Sequence, residues 1–415
     1  MSERIMKDSG IEWIGEIPND WKVLKNKYNF FLKKSIVGDK CNETQLLSLT
    51  KYGVKAISEG EQTGKVPTTF ATYQAVEKND LVMCLFDLDV SAVFSGLSPF
   101  NGMISPAYKC FKCKPHILPK YVDYYFRAVF VDRKYKRYSK NVRYSLSSDD
   151  FMALPIIVPP FKVQQAIASY LDTKCFEIDS LSADIQLQID SLEEYKKSVI
   201  TEAVTKGLNP DAEMKNSDVF YMAPYNSCWR LSKIGYECTK LQRPFLPEDA
   251  ALICSNKGKV AIRPEEMIGK MVSEDNAMQG IQKGDIAIHG MDTWHGAIAL
   301  SEYDGKITRV VHVCDSRQEK RFIVYYLKQL AYNGVYKLIS NGVRGNTSDF
   351  RSWEKVKDIA IAIPSIEEQR EISDFLDSKC FEIDSVIASK KEQLLTLAEY
   401  KKSLIYEYVT GKKEV

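Results

Sequence analysis

Hydrophobic residues recur every seven positions in two long stretches of the chain. In the first, Ile178, Ile185, Leu192 and Val199 form one row, and Cys175, Ser182, Ile189 and Lys196 form a weaker alternate row. In the second, Ile383, Leu397 and Leu404 keep step and Lys390 breaks the row, while Ile387 and Leu394 fill the alternate row. Such spacing marks a helix that packs lengthwise on another. Pro159-Pro160 and Pro364 precede these stretches, and Gly207 and Gly411 follow them, as start and stop signals should. From Pro160 to Lys206 the first helix would reach roughly 60–70 Å at about 1.5 Å per residue. The remainder is patterned differently. Over residues 41–115 and 250–315, short apolar runs such as "DLVMCLF", "DIAIHG" and "ITRVVHVC" alternate with turns and read as strands. "LPKYVDYYFRAVF" and "EKRFIVYYLKQLAY" read as helices.

The pattern repeats as well as alternates. "KCFEIDS" occurs at 174–180 and again at 379–385. Around it, about 21 of 36 positions are identical between 170–205 and 375–410, without a gap. Weaker matches lie at other offsets. At 208, Trp21, Lys25 and Tyr28 face Trp229, Lys233 and Tyr236; at 201, Tyr124-Tyr125 and Val142-Arg143 face Tyr325-Tyr326 and Val343-Arg344. The chain is one unit written twice. The expected fold is α+β: two globular domains separated by two long antiparallel coiled-coil helices, related by an internal pseudo-twofold repeat. The expected boundaries are 1–158 and 209–363 for the domains, and 159–208 and 364–415 for the helices.

Composition narrows the class. With 45% hydrophobic and 27% charged residues, the chain is expected to be an ordinary globular protein. No apolar run reaches membrane-spanning length. The opening "MSERIMKDSG" lacks the apolar core of a secretion leader. Ten cysteines in that setting fit free thiols in the cytoplasm. A net charge of +2 argues against a uniformly basic nucleic-acid binder, but "RAVFVDRKYKRYSKNVRYS" concentrates seven cations against Asp132.

The paired "FEID…EEYKKSVITEAVTKGLNP" and "FEID…AEYKKSLIYEYVTGK" segments carry a resemblance. So do the opener "MKDSGIEWIGEIPNDWKVLKNKY" and the lead-ins "IVPPFKVQQAIASYLD" and "AIPSIEEQREISDFLD". Together they resemble the specificity (S) subunit of type I restriction-modification systems, over essentially the whole chain. The resemblance implies two target-recognition domains, each reading one half of an interrupted double-stranded DNA site. It implies helices that set the gap and dock two methyltransferase (M) subunits, with restriction (R) subunits joining them. It implies no catalysis by this chain, no cofactor and no membrane partner. A pseudo-twofold reader needs the same docking surface twice. Glu177, Glu382, Tyr195, Lys196, Lys197, Tyr400, Lys401 and Lys402 are the candidate partner contacts. Phe176, Phe381, Ile178 and Ile383 are expected to pack inward.

Phosphate contacts position a protein on DNA, and base-edge contacts specify sequence. In the first domain Lys134, Lys136, Arg137 and Lys140 are candidates for phosphates, and Tyr138, Asn141 and Arg143 for bases. In the second, Asn341, Arg344 and Asn346 occupy a Gly-flanked loop. Lys51, Tyr52, Trp294 and His295 are weaker candidates. The alternative readings are a coiled-coil adaptor that reads no sequence, an S-like subunit of a modification-only or type II-like system, and a fused enzyme.

Apparent chemical motifs fail on inspection. "VPPF" places Val158 where an amino-methyltransferase needs a side chain that hydrogen-bonds the target amine. "PDAEMK" puts Asp211 and Glu213 too close together for a two-strand nuclease site. "CFKCKPH" offers Cys110, Cys113 and His116 without the fourth ligand of a structural zinc site, so no metal is expected. "GEQTGK" is one residue short of a phosphate-binding loop.

Overall fold

The computed structural model describes residues 4–50, 53–58, 67–88, 95–131, 133–139, 144–267, 275–340 and 349–415. The chain divides into two compact units. The first comprises Met1–Ile185 and Glu392–Val415, and the second Gln186–Lys391.

In the first unit, strand β1 (Lys22–Lys25) pairs with β8 (Pro155–Val158), the strand that runs into the first long helix. The domain itself is built on an antiparallel four-stranded sheet. Its strands are β2 (Phe30–Lys33), β5 (Leu81–Met83), β6 (Ser95–Leu97) and β7 (Lys109–Cys113), in the order β2–β7–β5–β6. A hairpin of β3 (Leu47–Thr50) and β4 (Gly53–Ala56) lies beside it. Helix α1 (Pro119–Val131) packs on β6. Apolar strands such as "LVM" are buried on both sides: aromatic side chains beneath α1 cover Leu81 and Met83, and Leu47, Leu49 and Val54 of the hairpin pack with Val82. Phe30, Phe111, Phe126 and Phe151 form that cluster, with Phe111 and Phe151 centred 4.8 Å apart.

The second unit repeats this plan. Strand β9 (Arg230–Lys233) pairs with β16 (Ala360–Ile363). A second four-stranded antiparallel sheet is formed by β10 (Cys238–Lys240), β13 (Ile286–His289), β14 (Ile298–Leu300) and β15 (Val311–Ser316), in the order β10–β15–β13–β14. The hairpin is β11 (Leu252–Ser255) with β12 (Lys259–Ile262), and the helix is α3 (Lys320–Tyr332). Trp21 and Trp229, which the repeat aligns, are both buried.

The two long helices are α2 (Phe161–Thr205) and α4 (Ile366–Val409). Their ends lie where the prolines and glycines place them. Gly207 and Gly411 adopt φ of +91° and +73°, a left-handed stop that side chains disfavour. The buried stripe follows the seven-residue rows. In the first unit it runs through Ile167, Leu171, Cys175, Ile178 and Ile185. In the second, Ile372, Leu376, Cys380 and Ile383 repeat it 205 positions later. Within each unit α2 and α4 run antiparallel. Lys401 meets Asp179 at 2.7 Å in the first, and Lys196 meets Asp384 at 2.6 Å in the second.

Each domain is clipped to its helix by the same buried glutamine. The Gln164 amide nitrogen donates to the Pro159 carbonyl at 2.9 Å, and its oxygen accepts from the Leu118 backbone N–H at 2.7 Å. Gln369 repeats this with Pro364 at 3.0 Å and Glu319 at 3.0 Å. A tyrosine adds a second tie. Tyr124 donates to Asp172 at 2.7 Å, and Tyr325 donates to Asp377 at 2.6 Å.

Candidate nucleic-acid interface and docking surface

The basic stretch of the first domain starts where α1 ends. Arg133 takes a left-handed conformation, φ 53°, and a short 3-10 turn follows over Lys134–Tyr138. The turn forms because Tyr135 is pulled inward, against Phe126, Phe130 and Phe151. Burying that ring turns Lys136 and Arg137 outward to solvent. Lys136 lies 4.3 Å over the Tyr144 ring. Arg137 pairs with Glu12 at 2.5 Å, so part of its charge is already answered. Tyr138 is half-buried against the core, which removes much of the ring from reach of a base. Lys140, Asn141 and Arg143 lie outside the described residues, as do Lys51, Tyr52, Asn341, Arg344 and Asn346. The 201-residue offset maps 140–143 onto 341–344 in sequence.

The second domain has the same turn without the same charge. Helical residues Val335–Ile339 align with the 3-10 turn, and Tyr336 is buried as Tyr135 is. Lys337, which aligns with Lys136, lies 5.1 Å over the Trp294 ring. Leu338 stands at the position of Arg137 and is exposed. Half-buried Trp294 and exposed His295 therefore gather beside this turn.

On the long helices, the candidate docking residues divide into two groups. Lys196 and Lys401 are engaged by Asp384 and Asp179 across each antiparallel pair, and these ion pairs are copies of one another. Lys197 and Lys402 pair one turn back with Glu194 and Glu399. Glu177 and Glu382 pair with Lys174 and Lys379, the first residues of each "KCFEIDS". Each of those carboxylates raises the pKa of its lysine. Tyr195 and Tyr400 are exposed. The expected inward packing of Phe176 and Phe381 is wrong: both are 74% exposed, whereas Ile178 and Ile383 are buried. Each phenylalanine follows a buried cysteine by one residue, which on an α-helix is a turn of about 100° away from the seam. Each unit therefore displays an aromatic pair on its helices, Phe176 with Tyr400 or Phe381 with Tyr195.

No protein-family model matches the chain. Over 429 aligned positions it is 22% identical to a protein of Methanocaldococcus jannaschii described as a putative type I restriction enzyme MjaX specificity subunit. That alignment covers 97% of this chain and 96% of that one. A solved structure, reported in work on complex assembly and conformational transition of the type I R-M system, shares the fold. Its TM-score is 0.68 at 12% identity, over 96% of this chain and 99% of the other. The HsdS subunit from Thermoanaerobacter tengcongensis aligns over 96% of this chain at 13% identity, with a TM-score of 0.48. Over nearly its whole length the chain is similar to a specificity subunit of a type I restriction enzyme, and it shares the fold of a structure from a type I R-M system.

In this chain the stretches that mimic catalytic motifs have structural places. Val158 is buried at the end of β8 and leads into α2. Lys215 donates to the Ser227 and Trp229 carbonyls at 2.7 and 3.1 Å and pins the segment that follows α2. Cys110 and Cys113 belong to β7, and burial pushes both thiols up to about 12. His116 shares a hydrogen bond with Asn29 at 3.0 Å. Among the described residues no helix is long and apolar enough to cross a membrane. The buried glutamines and exposed phenylalanines escaped the sequence reading. The signal for both was present, since Gln164/Gln369 and Phe176/Phe381 are identical pairs and the phenylalanines sit off the seven-residue rows.

Proposed function

We propose that the chain is a type I specificity subunit that reads a two-part DNA target, one half with each domain, and holds methyltransferase subunits on its helices. The observation that carries the reading is the duplication in structure. Each unit has one domain of the same topology, clipped by the same glutamine to the same antiparallel helix pair. A protein that addresses two half-sites with two copies of one partner needs that arrangement. On this reading Lys134, Lys136 and Arg137 meet phosphates, and Arg143 and Arg344 meet bases. Tyr138 is the weakest base contact, being half-buried. The exposed aromatics Phe176, Phe381, Tyr195 and Tyr400 form the docking surface, with the Glu177 and Glu382 carboxylates beside them. A restriction subunit joins through the methyltransferase subunits.

Methylation mapping of DNA from cells carrying this chain with its methyltransferase partner tests the proposal. The expected result is a motif of two short specified segments separated by a fixed unspecified gap. A single continuous motif, or none, contradicts it. Phe176→Ser and Phe381→Ser should leave the unfolding midpoint unchanged, because exposed side chains contribute within about 0.5 kcal/mol. Together they should release the methyltransferase subunits on gel filtration.

A further inference from the structure

The two units differ at one charged position in a way that leaves a lysine unmatched. In the first unit Arg127 on α1 pairs with Asp123, one turn earlier, at 2.8 Å, and the Asp123 side chain is only 2% exposed. Asp123 also accepts from the Leu97 backbone N–H at 3.2 Å. In the second unit the 201-residue offset places Lys328 and Val324 at these positions of α3. The cation is kept, and a valine replaces its carboxylate. The Lys328 ammonium donates to the Gly258 carbonyl at 3.2 Å. No carboxylate pairs with it among the described residues. Burial lowers its pKa, and Lys196 and Lys259 act in the same direction.

Lys328 lines a groove of about 430 Å³ on the second unit. The turn at Gly258-Lys259, the turn at Lys283-Gly284, β14 and one face of α3 form its walls. Arg321 also lines it, but Glu319, Asp374 and Asp377 already answer its charge. Lys259, Lys283 and Lys328 remain, against Glu302. A part-buried cation without a counter-charge costs free energy that a bound anion offsets.

We propose that this groove binds a phosphate group, with Lys328 as its central cation and Lys259 and Lys283 flanking it. Over the groove's lining, four cations, Lys259, Lys283, Arg321 and Lys328, face two carboxylates, Glu302 and Asp377, a surplus of two positive charges. A carboxylate ligand brings one negative charge. A phosphate monoester brings two, and a DNA strand brings one for each phosphate it lays in the groove. The ligand is thus a phosphate ester, either a free one or the backbone of bound DNA. The second source rests on the proposed DNA reading; the first does not.

The full-length chain is titrated with inorganic phosphate by calorimetry, and its DNA affinity is measured across a salt series. Wild type should bind phosphate. Val324→Asp rebuilds the acid that the first unit carries, so it should weaken phosphate binding at least tenfold while keeping the thermal midpoint. Lys328→Met should do the same to phosphate. A salt slope for DNA that falls by about one in Lys328→Met assigns the site to the DNA backbone. An unchanged slope with phosphate binding intact in wild type assigns it to a free phosphate ester. A wild type that ignores phosphate, together with an unchanged slope in Lys328→Met, overturns the proposal. So does a Val324→Asp chain that binds phosphate like wild type. Loss of a protein partner in Lys328→Met, without either phosphate effect, also overturns it in favour of an acidic protein ligand. If wild type binds phosphate through Lys328 but shows no sequence-specific DNA binding, the DNA-reading proposal fails and this one stands.

Discussion

Gln369 has one side chain and three hydrogen bonds, two of them to backbone and one to the Gln318 side-chain oxygen at 2.8 Å. Its amide satisfies the carbonyl before α4 and the backbone N–H that opens α3, and it is fully buried. Gln369→Leu keeps the volume and strands both backbone partners. An unmet buried group costs about 1–3 kcal/mol, so the chemical-unfolding midpoint of the second unit should fall by that order; no change would show that water replaces the amide. Buried histidines make the same unit sensitive to acid. His312 is buried and His289 largely so, and burial lowers both pKa values below the ordinary 6.5. The unfolded chain then takes up protons first as pH falls. Stability is complete above about pH 7 and declines as pH drops through the folded values. A thermal midpoint that is flat between about pH 7 and pH 5 would contradict this. The ion pairs Lys196–Asp384 and Lys401–Asp179 act differently. Exposed pairs contribute about 0.2–1 kcal/mol, so their effect is to favour one antiparallel register over its neighbours. A single sequence could not show this, since the partner of Lys196 is known only once the register between α2 and α4 is known.

At the scale of elements, the long helices were the most legible part of the chain. Seven-residue spacing sustained over many turns leaves little else that Ile178–Val199 could be, and the proline and glycine signals bound it closely. Strands β5, β13 and β15 and the helices α1 and α3 also fall on their apolar runs, whereas β2 and β10 lie outside the stretches read as strands. The 3-10 turn at Lys134–Tyr138 was less legible. Its charges mark a basic stretch without giving its shape, which is set by the burial of Tyr135 in an aromatic cluster assembled from Phe126, Phe130 and Phe151. Identity between the repeats misled at Phe176 and Phe381, where it reflects a shared exposed surface rather than shared packing. The helices also carry a prediction. Four residues inserted after Ile185 and four after Lys390 lengthen each helix by about 6 Å at about 1.5 Å per residue. DNA rises about 3.4 Å per base pair, so the gap in the methylated motif should grow by one or two base pairs, with both half-sites unchanged. The insertion is a stutter in the heptad, so some stability is lost. An active variant that keeps the original gap would show that the helices dock partners without setting distance.

The whole molecule is explained by duplication. Two units of matched topology, each with its own aromatic core, glutamine clip and helix pair, make the two halves of the proposed target separable. Val324 and Leu338, set against Asp123 and Arg137, show that the copies have diverged in charge, at one buried and one exposed position, while keeping their framework. The most direct measurement exchanges one reader. Residues 250–363 are replaced by the matching region of a relative with a different target, and the methylated motif is mapped in cells that supply the methyltransferase partner. One half of the motif should change to the relative's, and the other half should stay as it was. A change in both halves would contradict two independent readers.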